Sequence, residues 1–159
     1  MSQGLLYHYY RSKEEIFTEL VIRAFERLVA ASRGLEADPS PPAIKIKMAI
    51  KALLEGFENS KHAANYYLLI AHAELSDASP REAKAAIQKY WYIPYQVLEN
   101  IIRKGQQDGS IKKHDPAEMA QLFWNTINGI AMYRAMHPDI YKSPDLEIIS
   151  GMFLTEIKE

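Results

Sequence analysis

The 159-residue chain has no cysteine. Disulfides and thiolate metal sites are excluded with it, and a reducing compartment suits the composition. Long apolar runs are missing too. No stretch approaches the roughly 18 consecutive apolar residues that mark a membrane span. Met1 is not followed by a basic segment and an apolar core, so no secretory signal is read and a cytoplasmic location is expected. Neither sign of charge dominates: 19 Lys and Arg stand against 20 Asp and Glu. Without a broad basic field, any attraction to nucleic acid has to come from a local motif. Glycine is sparse, at 7 residues, and there is no alternating strand pattern, internal repeat or low-complexity tract. The balance of apolar and charged residues is that of one folded domain with a sizeable core.

What is present is helix punctuation. Ser40-Pro41, Ser79-Pro80, Asp115-Pro116 and Ser143-Pro144 each precede a segment with helical apolar period. A Ser or Asp side chain accepts from the free N–H groups of a first turn, and proline fits there because its missing N–H had no partner to lose. Ser12 with Glu15, Ser79 with Glu82, and more loosely Asp115 with Glu118, have capping-box spacing. Between these marks, Lys13 to Arg33 carries Ile16, Phe17, Leu20, Val21, Ala24, Phe25, Leu28 and Val29 on one stripe, with Gly34 as the expected stop. Pro41 to Asn59 carries Ile46, Ile50, Leu54 and Phe57. AANYYLLIAHAEL is apolar nearly all round, which predicts a central, buried helix. Pro80 to Asp108 predicts a long helix disturbed by Pro94 and ended by Gly109. Helices over Pro116 to Met136 and Pro144 to Ile157 complete an all-α fold of packed helices.

The opening, MSQGLLYHYYRSKEEIF, carries more than helix signals. Its Ser2, Gly4, Leu6, Tyr7, His8, Tyr9 and Tyr10, followed by Ser12, Lys13, Glu14, Glu15 and Ile16, resemble the TetR family of bacterial transcription regulators. In that family a Ser-x-Gly-x-Leu-Tyr segment is the DNA-recognition helix, and Ser-Lys-Glu-Glu starts the next one. The resemblance implies that Ser2, Gln3, Gly4, Tyr7 and His8 face DNA in an intact protein. Gly4 would allow close backbone approach and Gln3 would reach a base edge, while Tyr7, His8 and Lys13 would contact phosphates. By spacing alone, Tyr7, Tyr9 and Tyr10 read as packing aromatics. The resemblance moves only Tyr7 and His8 to the DNA side.

It also implies two further helices ahead of Ser2 that brace the reading helix. Residues 1–12 are accordingly expected to be a remnant of that helix, 13–33 a connecting helix, and 34–159 an effector-binding and dimerisation domain. Either a start assigned too late or a shortened protein accounts for this. Both predict that operator DNA is a partner only when the bracing helices are present, because Leu5, Leu6 and Tyr9 would otherwise lie against water. GQQDGSIKKHDPAEMAQLFWNTINGIA looks like the family's turn into its penultimate helix.

The remaining residues suit a small-molecule effector of unspecified identity. Cavity candidates are Tyr66, Tyr67, Leu69, Ile70, His72 and Ala73 on one helix; Trp91, Tyr92 and Tyr95 on the next; and Trp124, Asn125, Asn128 and Met132 on the penultimate one. Filling the core is the competing role for each. The two amides are the more telling, since buried amides need partners. His72, in an apolar run, reads as a hydrogen-bonded core histidine rather than a metal ligand. No metal or other cofactor is expected. No nucleophile–base pair, His-Glu-x-x-His, phosphate loop or Gly-x-Ser-x-Gly turn is present, so an enzyme is not expected.

Ala120, Phe123, Ile127, Ile130, Ala131 and Tyr133 with Ile149, Met152, Phe153 and Ile157 are candidates for a two-fold, four-helix homodimer interface, closure of the monomer's own core being the alternative. The leading expectation is a ligand-responsive TetR-like regulator, a repressor, with an incomplete reading head. The alternative is a helical homodimer that senses or sequesters a small apolar molecule without binding DNA.

Overall fold

The computed structural model describes residues 11–60 and 62–156. Its helices are α1 (Lys13–Ala37), α2 (Pro42–Asn59), α3 (Ala63–Leu75), α4 (Arg81–Tyr90), α5 (Tyr92–Gln107), α6 (Pro116–Met136) and α7 (Leu146–Ser150). The fold is all-α, as the periodicity predicts.

The start of α1 follows the expected chemistry. Ser12 Oγ accepts from the Glu15 N–H at 3.1 Å, and Glu14 and Glu15 lie in the positively polarised first turn. Glu15 reaches back to the N–H of Arg11, 2.6 Å away, one residue beyond the usual capping-box partner. The helix does not stop at Gly34. It runs on to Ala37, because Leu35 packs against the core and Gly34 keeps an ordinary helical φ. Its end is fixed by Asp38, whose carboxylate accepts from the Ser40 N–H at 2.8 Å, and by the Lys45 ammonium, which donates to the Glu36 carbonyl at 2.7 Å.

Three capping expectations fail. Ser40 does not cap α2, which starts after Pro41 with no side-chain cap. α4 begins at Arg81 without a side-chain cap, and the Ser79 hydroxyl is buried with no partner among the described residues. The Ser143-Pro144 signal gives way to Asp145, which caps a final helix of only five residues. The expected helix to Ile157 is replaced by a turn and an extended strip. There Leu154 pairs antiparallel with Ile111, through Lys112 N–H to Phe153 O at 2.9 Å and Thr155 N–H to Ser110 O at 3.1 Å. Asp115 caps α6 as expected, accepting from the Glu118 N–H at 2.9 Å.

The long helix predicted from Pro80 to Asp108 is two helices, broken at Trp91. Pro94 explains the break. Its ring would clash with the carbonyl four residues earlier, that of Tyr90, and it has no N–H to donate there. Restarting at Tyr92 puts Pro94 in a first turn, where neither defect matters. Gly109 ends α5's C-terminal turn with φ +83, a left-handed conformation that glycine adopts without a Cβ penalty.

Two apolar clusters form. The larger joins α2, α5, α6 and the C-terminal strip around Ile46, Ile50, Phe57, Ile102, Phe123 and Phe153. The smaller joins α1, α3 and α4 through Val21, Phe25, Ala73, Ala83 and Ile87. α3 is not the central buried helix its composition predicts. Only Ala64 and Ala73 are fully buried, and Leu75 is 85% exposed. It is a wall between the clusters, and its apolar surround serves two partly open faces.

Candidate effector cavity

The seam between the two clusters is incompletely filled. A cavity of about 280 Å³ is bounded there by four helices, near the lower end of the roughly 300–1,000 Å³ usual for small-molecule sites. Each helix contributes residues at helical spacing: Phe25 and Leu28 from α1; Tyr67, Ile70, Ala71 and Glu74 from α3; Trp91, Pro94 and Tyr95 from α5 and the break before it; Trp124, Asn128 and Met132 from α6. Spacings of three and four place such residues on one face. Two larger clefts adjoin. One of about 490 Å³ lies between α1, α2, α5 and α6, and one of about 350 Å³ lies between α1, α2 and α3. Leu28 lines all three spaces.

An aromatic wall runs along one side of the seam. Trp91 and Tyr95 meet edge to face at 5.9 Å between ring centroids, Tyr95 and Trp124 lie 5.9 Å apart, and Phe123 backs Trp124 at 5.3 Å. Tyr67 faces in from α3 and meets Phe57 edge to face at 5.4 Å. Offset and edge-to-face pairs of this kind hold rings in defined orientations.

The polar groups are few. Burial pushes the Tyr67 phenol well above its ordinary pKa. Burial also raises Tyr95, with the negative charge of Glu74 as a second cause. Glu74, at the cavity's open rim, is itself raised by burial. The indole N–H of Trp124 is buried and has no hydrogen-bond partner among the described residues.

The cavity collects part of the expected set: Tyr67, Ile70, Trp91, Tyr95, Trp124, Asn128 and Met132. Tyr66 lines the neighbouring cleft. Others are placed elsewhere. Leu69 and Ala73 belong to the smaller cluster. Tyr92 is exposed beside Trp91, and Asn125 is exposed on the outer side of α6. His72 is not a core histidine: it is exposed and meets Phe17 edge to face at 6.2 Å. No group of residues that would hold a metal ion occurs among those described. Phe25, Leu28, Ala71 and Glu74 line the cavity although the sequence does not point to them, and Pro94, whose disturbance of its helix is legible, lines it too. For Glu74 a signal exists, since it continues the 67, 70, 71 spacing by one more step.

The proposed dimer residues are largely spent within the chain. Ala120, Phe123, Ile127, Ala131, Ile149 and Phe153 are buried in the larger cluster, because α7 is too short to form a second interface helix and the strip after it folds back onto the core. Met152 stays exposed. Ile157, and the DNA-facing candidates Ser2, Gln3, Gly4, Tyr7 and His8, lie outside the described residues. Lys13 is exposed in the first turn of α1.

Comparison with solved structures places this arrangement. The MbdR regulator from Azoarcus sp. CIB superposes with a TM-score of 0.78 at 15% identity, over 94% of this chain and 79% of that one. A TetR-family transcriptional regulator from Agrobacterium tumefaciens gives 0.72 at 16%, over 95% and 76%. PfmR, a TetR-family regulator from Thermus thermophilus, gives 0.72 at 19%, over 96% and 79%. The chain has the TetR-like fold. No protein-family model matches the sequence, and neither does any curated protein. The resemblance read from the opening residues and the architecture of the described helices therefore agree on the fold. No described helix of the TetR-like body is long and apolar enough to cross a membrane.

Proposed function

We propose that this chain is the ligand-sensing and dimerising part of a TetR-like transcription regulator, acting as a repressor. The observation that carries this reading is the position of α1. The helix begins at the segment expected to read DNA, and it presents Phe25 and Leu28 to the cavity four helices enclose. A ligand in the seam would bear on α1, and a shift of α1 would move the reading segment ahead of Lys13. Such a ligand changes DNA affinity only by its preference for one position of α1. Operator DNA is proposed as the partner of the segment that the resemblance assigns to DNA reading.

The homodimer is proposed on a set of α6 residues that shares only Tyr133 with the one the sequence suggests. Leu122, Tyr133 and Met136 are exposed at helical spacing around Thr126 and Gly129. A second copy crossing at Gly129 would approach closely, since the space around that glycine is open. Mobility-shift titration with operator DNA, with and without a small molecule that the cavity captures, tests the function. Release of operator by the ligand is the expected result; operator affinity unchanged at saturating ligand overturns it.

A further inference from the structure

We propose that the seam cavity is selective for organic cations, a quaternary or protonated ammonium group held against Trp91, Tyr95 and Trp124 beside Glu74. This deepens the sensing role proposed above and rests on it.

The lining is asymmetric in charge. Glu74 is its one formally charged side chain, and no Lys, Arg or His lines the cavity among the described residues. An anionic ligand would meet a like charge with nothing to neutralise it. A neutral ligand would gain nothing from the Glu74 carboxylate. A cation reverses both effects.

The competing counter-charge is weak. Lys84 on α4 shares a hollow on the outer side of Glu74, with Ile87, Gln88 and Trp91. No ion pair joins Lys84 to Glu74; the ion pairs among the described residues lie elsewhere. The Glu74 carboxylate makes no hydrogen bond to a described residue either, and burial already raises its pKa.

The aromatic wall supplies the second half of the recognition. Ring faces carry the negative part of the aromatic quadrupole, and tryptophan is the strongest side chain for this contact. Two indoles and a phenol run in sequence at 5.9 Å spacings. Small ammonium heads are weakly hydrated once alkylated, so rings can replace their water at low cost. Beyond the head, Leu28, Ile70 and Met132 offer an apolar path. The buried Trp124 N–H has no partner among the described residues, and a ligand oxygen or nitrogen that reached it would satisfy it.

The test uses three probes of similar size on the full chain by titration calorimetry: benzyltrimethylammonium, its uncharged carbon isostere neopentylbenzene, and phenylacetate. The cation is expected to bind at least tenfold more tightly than the isostere, and phenylacetate more weakly than either. Glu74→Gln is expected to lower cation affinity about tenfold and to leave neopentylbenzene unaffected; Glu74→Asp should keep most of the preference. Equal binding of cation and isostere, or an unchanged cation affinity in Glu74→Gln, overturns the charge selectivity while the sensing role stands. If none of the probes binds, the sensing role of the cavity falls, and the selectivity with it.

Discussion

Gly105 shows how tightly single positions are set. A methyl group there would collide with the side chain of Ile111 and press on Pro42. Gly105 also receives the Ile111 N–H on its carbonyl at 2.9 Å. Gly105→Ala is expected to lower stability by about 1–3 kcal/mol, read by denaturant unfolding, because a packed core accommodates added volume poorly. Arg134 is a second such residue. It is buried without a carboxylate; it donates to the Phe57 and Pro138 carbonyls, both at 3.0 Å, and lies over the Tyr141 ring. Arg134→Ala is expected to cost about 1.5–3 kcal/mol through the orphaned carbonyls and the lost stem packing.

Glu74 brings pH into the picture. Its folded pKa is raised, so its ionisation weakens the fold: the stability it contributes is complete below the unfolded value and lost as pH rises through the folded one. Cation binding should have the opposite trend, weakening as pH falls through that same range, above the ordinary 4.5. Of the groups around it, Tyr67 on α3, Tyr95 on α5 and Lys84 on α4 are titratable, while α1 and α6 present uncharged residues to the cavity. Calorimetric titrations across this range should show the trend in the native chain and its absence in Glu74→Gln.

Among the elements, α1 depends most on local chemistry. Ser12→Ala removes one cap acceptor and should cost about 0.5–2 kcal/mol of stability, with the loss read by thermal unfolding. The same elements show what a sequence reveals. The stripes of α1 and α2, the Asp115 cap and the Gly109 stop are written in residue types whose local physics decides the outcome. The break falls at Trp91 rather than at Pro94 because the clash belongs to the carbonyl four residues back. The last helix is shorter than its pattern suggests, because an apolar period at Ile149 and Phe153 fits a short helix followed by a core-facing strip equally well. On α3 the cavity face is not legible, since residues on both sides are apolar, and a search for apolar lining passes over the acid at its end. Lys84, Ala83 and Ile87 lie on α4, whose packing against α1 and α3 no local signal announces.

For the molecule as a whole, the exposed stripe on α6 carries the oligomeric prediction. Leu122→Glu combined with Tyr133→Glu is expected to give a monomer in sedimentation velocity at micromolar concentration, with helix content unchanged, since both side chains are exposed. Persistence of a dimer in that variant would move the interface elsewhere.

Trp91 and Trp124 are the chain's two tryptophans, and both line the seam, one 51% exposed and the other 7%. The protein therefore carries its own optical gauge of occupancy. A bound molecule would screen the outer indole from a dissolved quencher such as acrylamide and shift its emission to the blue, leaving the inner indole's band nearly in place, without any attached dye.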